Sequence, residues 1–196
     1  MRGPSRYHPA LVALHWALAL LIIAALALGA LVMAKIPNHD PIKVEALRSH
    51  MAGGVLILLL TVVRFVVRGV TQHPASASTG ARSLDRLAWA SHRLLYVAVL
   101  GMAASGFVMA LQSDLPTVLS ERGALPADFW VFPVRTVHYL IPRLLMALIA
   151  LHVAGALYHT LILRDGLLKR MGFGRRIRAE MDTTLALKQS LSKRQS

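Results

Sequence analysis

Residues Ala10–Ala34 read ALVALHWALALLIIAALALGALVMA, a run of 25 residues with no formal charge whose one strongly polar side chain is His15. About 20 apolar residues suffice for a helix to cross the hydrocarbon core of a bilayer, so this stretch is read as a transmembrane helix. A cleaved signal would have a shorter apolar core followed by a polar mature domain. Here further apolar segments follow, and no removal is expected. Met51–Val63, continued through Arg64 to Val67, closes on Arg68, which is placed to snorkel toward the interface. Leu94–Leu111 and Leu144–Leu163 add 18 and 20 uncharged residues. The expectation is an all-α fold, an integral membrane four-helix bundle, with helices at about 10–34, 50–68, 88–111 and 137–165. They make up one transmembrane domain over residues 1–171, followed by a basic cytoplasmic tail over 172–196.

The composition agrees. A hydrophobic content of 56% with only 16% charged residues and a mean hydropathy of +0.55 are too apolar for an ordinary soluble domain of this size. The absence of cysteine excludes disulfides, thiolate zinc sites, thiolate-held iron–sulfur clusters and thioether-attached haem, each of which needs sulfur. A metal must then rely on imidazole or carboxylate, and nine histidines stand against nine acidic residues.

The net charge of +13 does not point to nucleic acid, because the basic residues follow the membrane topology instead of forming a water-facing array. Proline-rich and polar joints lie at Pro37–Pro41, Pro74–Gly80 and Pro116–Pro133. Sixteen Lys and Arg fall in the N-terminus, second connection and C-tail, against six on the opposite side. By the positive-inside rule both termini are cytoplasmic, and seven against six still favours that side without the tail. Phe129 and Trp130 in the third connection suit an interfacial segment. The tail from Arg175 to Ser196 reads equally as a basic helix on the anionic leaflet or as disorder.

A histidine inside an apolar span is costly without a partner. For any single one, a packed side chain bonded to a carbonyl is as good a reading as a functional one, so the argument rests on the set. His138 and His152 are 14 residues apart, which leaves them within about 40° of one face and about 21 Å apart along a helix. One helix thus serves two stacked sites. His50 opens the second helix at the outer end, level with His138, and His15 lies toward the inner end with His152, about 8 Å into its apolar run against about 16 Å for His152, a difference that helix ends or tilt must absorb. Paired neutral imidazoles on facing helices suit a low-spin haem with both axial positions filled, a centre that transfers electrons and does not bind oxygen. Zinc or copper usually recruits a further ligand.

At the inner site His92 and His159 compete with His152. His159 is 21 residues from His138, about 32 Å along a helix, a long separation for electron exchange. His159 is also placed to hydrogen-bond a quinone and transfer a proton. A structural histidine near the interface is the equal alternative. Gly53, Gly54, Gly101, Ser105, Gly106 and Gly155 thin the helix surfaces for close packing, against another helix or against a flat ring. Arg64, Arg68, Arg93 and Arg143 are candidates to pair with haem propionates, or equally plain interfacial anchors.

The chain resembles the bacterial cytochrome b561 family from Tyr7 to about Met171. The matching stretches are Leu14-His15-Trp16, Ser49-His50-Met51-Ala52-Gly53, Val62-Val63-Arg64-Phe65-Val66-Val67-Arg68, Ser91-His92, Val137-His138 and Leu151-His152 through His159. The resemblance implies a cytochrome of the bacterial inner membrane with two haem b and His15, His50, His138 and His152 as axial ligands. One branch of the family resembles superoxide oxidase, which passes electrons from superoxide at the periplasmic face to ubiquinone. A positive outer surface would steer that anion, and Lys35, Lys43, Arg48 and Arg135 flank the outer pair. Asp40, Glu45, Asp114, Glu121 and Asp128 largely offset them.

The expected function is therefore membrane electron transfer between a periplasmic donor, superoxide or a redox partner, and ubiquinone or another membrane quinone. Two alternatives stand beside it: a cytochrome b anchor subunit fed by a hydrogenase or dehydrogenase, and a non-haem four-helix scaffold or transporter.

Overall fold

Local sequence chemistry starts each long helix. The His8 side chain accepts from Ala10 N at 3.3 Å, and Pro9 occupies the first turn of α1, Pro9–Ala27. A missing N–H costs nothing there. The chain of this computed structural model is described over residues 4, 6–121 and 124–172. Apart from Gly172, the tail expected at 172–196 lies outside the described residues. α1 widens into a π-helical turn at Leu28–Met33. Asp40 then caps α2, Pro41–Val70, by accepting from Ile42 N at 2.9 Å.

α3, Arg82–Gln112, holds Asp85 in its first turn, where the carboxylate accepts from Ser78 Oγ at 2.6 Å and Thr79 N at 2.8 Å. After the short α4, Leu115–Glu121, a 3₁₀ turn at Phe129–Val131 leads to α5, Val134–Tyr158. α5 carries Pro142 in its interior, as spanning helices tolerate better than soluble ones. A second π-helical turn, His159–Leu163, and the four-residue α6, Leu167–Arg170, complete the described chain, in which no strand occurs.

Four helices are long and apolar enough to cross a membrane: Pro9–Met33, Pro41–Val70, Arg82–Gln112 and Val134–Leu163. Two of them start well before the apolar runs that mark them in the sequence. Hydropathy registers the part of a helix that sits in hydrocarbon, whereas capping by Asp40 and the anchoring of Asp85 extend α2 and α3 beyond it. Large apolar side chains such as Leu20, Leu59, Phe65, Val97, Phe107 and Leu161 are exposed around the bundle, as a lipid-facing surface requires.

The closest packing runs within two helix pairs, α1 with α2 and α3 with α5, and a lesser contact of α2 with α3 joins the pairs. At mid-height Leu18, Ile57, Ala98, Val99, Leu145 and Leu148 form a buried apolar layer drawn from all four long helices. Leu145 lies seven residues from both His138 and His152, so this layer separates the two histidine levels.

Each end of the bundle is tied by side chain-to-backbone bonds. Near the α1–α2 connection, Lys43 is buried and its Nζ donates to the carbonyls of Met33 and Ile36, the latter at 3.0 Å. Met33 O is a carbonyl that the helix end leaves without an intrahelical partner. Arg48 Nη2 donates to Leu119 O at 2.5 Å, and Asn38 Nδ2 to Pro126 O at 2.9 Å. At the other end, Tyr7 N donates to Arg170 O at 3.3 Å, Trp16 Nε1 to Met171 O at 3.0 Å, and Arg170 Nη1 to Ala75 O at 2.9 Å. The start of α1, the α2–α3 connection and α6 therefore share one end. Lys43→Met, which strands two carbonyls, is expected to destabilise the fold by about 2–3 kcal/mol, read as a lower melting temperature in detergent with unchanged helical content.

Candidate functional site

The four histidines singled out in the sequence form two pairs across the bundle. His50 of α2 and His138 of α5 have ring centroids 6.1 Å apart with planes at 85°. His15 of α1 and His152 of α5 are also 6.1 Å apart, at 65°. Two imidazoles opposed on one metal, each with a bond of about 2 Å and its ring centre about 1 Å further out, have centroids about 6 Å apart. Neither α1 nor α2 is among the close-packed neighbours of α5. The rings thus meet across a seam between the helix pairs, which is where a flat group would enter. Among the described residues no three His, Asp or Glu side chains converge as a closed metal site needs.

The surroundings of the His50–His138 pair fix His138. Ser105 Oγ lies 3.0 Å from His138 Nδ1 and donates its own hydrogen to Met102 O at 3.0 Å. The hydroxyl oxygen must then accept from Nδ1–H, which leaves Nε2 with its lone pair, the state a metal ligand requires. Gly106, the next residue, has no side chain for a reason: a Cβ there would stand 3.0 Å from His138 Cε1. Gly106→Ala must push the ring off its position at a cost of about 1–3 kcal/mol, and is expected to loosen any group held by His138. The measurement is cofactor retention on dilution.

His50 Nδ1 is buried with no hydrogen-bond partner, an expensive state for a polar atom that a bound group relieves. Beside it, Gly53 and Gly54 face open space where a Cβ would be, as Gly155 does three residues after His152. An unpartnered imidazole nitrogen, a ligand-ready tautomer on its partner and room alongside fit a planar metal-bearing group.

The His15–His152 pair has a third imidazole. The ring centroid of His92 on α3 is 5.0 Å from that of His152, at 90°. Its Nδ1 must donate to Ala88 O, 2.6 Å away, since a carbonyl only accepts. His159 is not part of this group. It is buried at the π-helical turn, with Nδ1 2.6 Å from Asp165 Oδ2. Arg64 reaches inward from α2, donating to Leu11 O at 2.9 Å and to Tyr96 Oη at 3.1 Å. Its charge is felt at both His15 and His152, and among the described residues it forms no ion pair with a carboxylate. Arg68 is exposed. Arg93 lies over the Trp89 ring at 3.5 Å and Arg143 over Tyr139 at 3.6 Å.

Asp165 lies just beyond the fourth span. The hydrogen bond from His159 is the main reason its carboxyl is held below the usual range, with a lesser bond from Leu167 N. A depressed carboxyl stabilises the fold above the ordinary aspartate value of about 3.9, and that contribution is lost as pH falls through the lower native value. The contact is therefore expected to persist across neutral pH and to break only below about pH 4, as histidine-labelled NMR spectra would record.

Sequence reasoning picked out Ser105 and Gly106 only as small residues, and Asp165 not at all. The spacing Ser105-Gly106 carries no sign of a histidine on another helix. A separation of six positions from His159 to Asp165 suggests no contact either, because in a regular helix they would point to different faces.

The prokaryotic cytochrome b561 family matches residues 6–174 of this chain. A curated relative, cytochrome b561 homolog 2 of Escherichia coli (strain K12), is 27% identical over 178 residues, spanning 86% of this chain and 92% of the relative.

Proposed function

The chain belongs to the prokaryotic cytochrome b561 family, and from this premise we propose that it carries two haem b groups, one on His50 and His138 and one on His15 and His152, and links an outer electron donor to a membrane quinone. Family and fold together make it an integral membrane b-type cytochrome that transfers electrons. The observation that carries the finer reading is the equal 6.1 Å separation of two histidine pairs at two levels of one helix. Haem b, when bound, supplies a one-electron couple at each level.

The chain's own residues do the rest. Ser105 holds the His138 tautomer, and Gly106 leaves space for the ring. Arg64, a cation whose hydrogen-bond partners among the described residues are neutral, would supply the counter-charge for a haem carboxylate at the inner level. The apolar layer around Leu145 and Leu148 keeps water from between the levels. His159, apart from both pairs, is the residue for hydrogen bonding and proton transfer to the quinone.

The positive-inside count and the shared end of Tyr7 and Arg170 support cytoplasmic termini. On this reading the protein is a single four-helix domain over 1–171 in the bacterial inner membrane, its basic tail on the cytoplasmic leaflet. The His50–His138 pair then lies near the periplasm, with superoxide or a redox protein as its donor.

Haem assay of the purified protein tests the stoichiometry, with two haem b per chain expected and one per chain overturning the pairing. Stopped-flow mixing with superoxide tests the donor: haem reduction in step with quinone reduction supports the small anion. Failure to react, with a larger subunit co-purifying, replaces it by a docked hydrogenase or dehydrogenase. Arg64→Leu is expected to keep the histidines but weaken retention of the inner haem by about tenfold or more, seen as substoichiometric haem after dilution.

A further inference from the structure

The last turn of the fourth span is built to bring one carboxylate back to one histidine. Between them the chain runs as a π-helical turn, His159–Leu163, and then reverses through Arg164 in the left-handed region, φ 51°, and Gly166, φ 71°. The reversal returns Asp165 to His159 twice. Its N–H donates to His159 O at 3.3 Å, and its Oδ2 accepts from His159 Nδ1 at 2.6 Å. The other carboxylate oxygen, Oδ1, accepts from Leu167 N at 3.0 Å, which fixes the carboxylate plane. His159 is 7% exposed while the Asp165 side chain is 28% exposed, so the pair runs from the buried end of the bundle to its aqueous edge.

We infer that Asp165 is a positioning residue that holds His159 with its Nδ1–H on the carboxylate, so that Nε2 is the nitrogen that gives a proton to a quinone. This rests on the reading of His159 as the quinone-side histidine. Quinone reduction takes two electrons and two protons. The electrons come from the reduced b-type centres of the cytochrome. One proton passes from Nε2 of the His159 imidazolium to a quinone carbonyl oxygen, the N–H bond breaking as the O–H bond forms. His159, now neutral, keeps its Nδ1–H on Asp165 and regains the Nε2 proton from water. The second proton comes from water at the same end.

Other charged and titratable groups around the pair are Asp85 at the start of α3, which senses His159, Arg170 of α6, which acts on Asp165, and the neighbouring Tyr158 ring. Asp85 is engaged by Ser78 and Thr79, leaving Asp165 as the carboxylate in contact.

The test uses full-length haem-loaded protein in detergent, labelled with ¹⁵N-histidine, with His159 assigned by its loss in His159→Asn. In the unsubstituted protein at high pH, neutral His159 is expected as the Nδ1–H tautomer, and finding Nε2–H overturns the proposal without any variant at Asp165. Asp165→Asn offers both an acceptor and a donor to Nδ1, so it no longer fixes the tautomer. It is expected to keep both haems and to let the Nε2–H tautomer of neutral His159 appear beside the Nδ1–H form. Turnover of a short-chain benzoquinone should fall with it, kcat more than KM. Asp165→Glu restores both.

An unchanged tautomer in Asp165→Asn, or a changed tautomer with unchanged turnover, overturns the proposal. If His159→Asn itself leaves quinone turnover intact, the quinone reading fails. If His159→Asn abolishes turnover while Asp165→Asn changes nothing, that reading stands and Asp165 has no part in it.

Discussion

His138→Ala is expected to cut the bound haem from two groups per chain to one, with the remaining haem spectrally that of the inner site. The effect should be close to all-or-none because the histidine is held from three directions. It is buried, its tautomer is set by Ser105, and Gly106 shapes the wall against its ring. No other imidazole at that level is in ring contact with His50. Alanine therefore leaves one axial position without a donor and a cavity of ring size beside it. Haem extraction and reduced-minus-oxidised spectra measure the outcome. Ser105→Ala is the graded version: it keeps the ligand and frees the tautomer, and should weaken outer haem affinity by about 10–100-fold. Retention of two full haems by His138→Ala would mean that the pairing is wrong.

His152→Ala should be as severe at the other level, and its consequence is different. On the proposed two-haem reading, electrons from an outer donor would still reach the His50–His138 level but go no further, and quinone reduction should fall to the uncatalysed background. His92→Ala and His159→Ala should keep both haems. His92 donates to its own helix at Ala88 and stands beside His152, whereas His159 is committed to Asp165. Loss of the inner haem in His92→Ala, with retention in His152→Ala, would exchange the roles of the two imidazoles. The measurement is haem content together with quinone reduction by the same preparations.

The membrane-spanning helices and the facing of His50 and His138 were legible in the sequence because both follow from one-dimensional rules. A long apolar run has few alternatives to a spanning helix, and the depth of a histidine follows from its distance to the end of its run. Fourteen residues between His138 and His152 put both on one face whatever the neighbours do. The inner site was less legible. His15, His92, His152 and His159 all lie toward one end, and depth alone does not separate them. α3 packing against α5 brings His92 to His152, and the break into a π-helical turn takes His159 away to Asp165.

The four arginines expected near haem carboxylates divide for the same reason. Arg64, Arg68, Arg93 and Arg143 are alike as interfacial cations in a sequence, yet of these only Arg64 is directed to the inner imidazoles, because Leu11 O and Tyr96 Oη on two other helices hold it there.

The sequence by itself determined the solvent of this protein, its helix count and the levels at which imidazoles occur, since hydrophobic length and helical rise are local quantities that need no partner. Which imidazoles face each other, that Ser105 sets a tautomer and Gly106 a clearance, and that Asp165 turns back to His159 were decided only by the tertiary structure. Those relations depend on how two helix pairs meet along a seam and on where one helix leaves regular geometry, and both come from packing between segments distant in the chain.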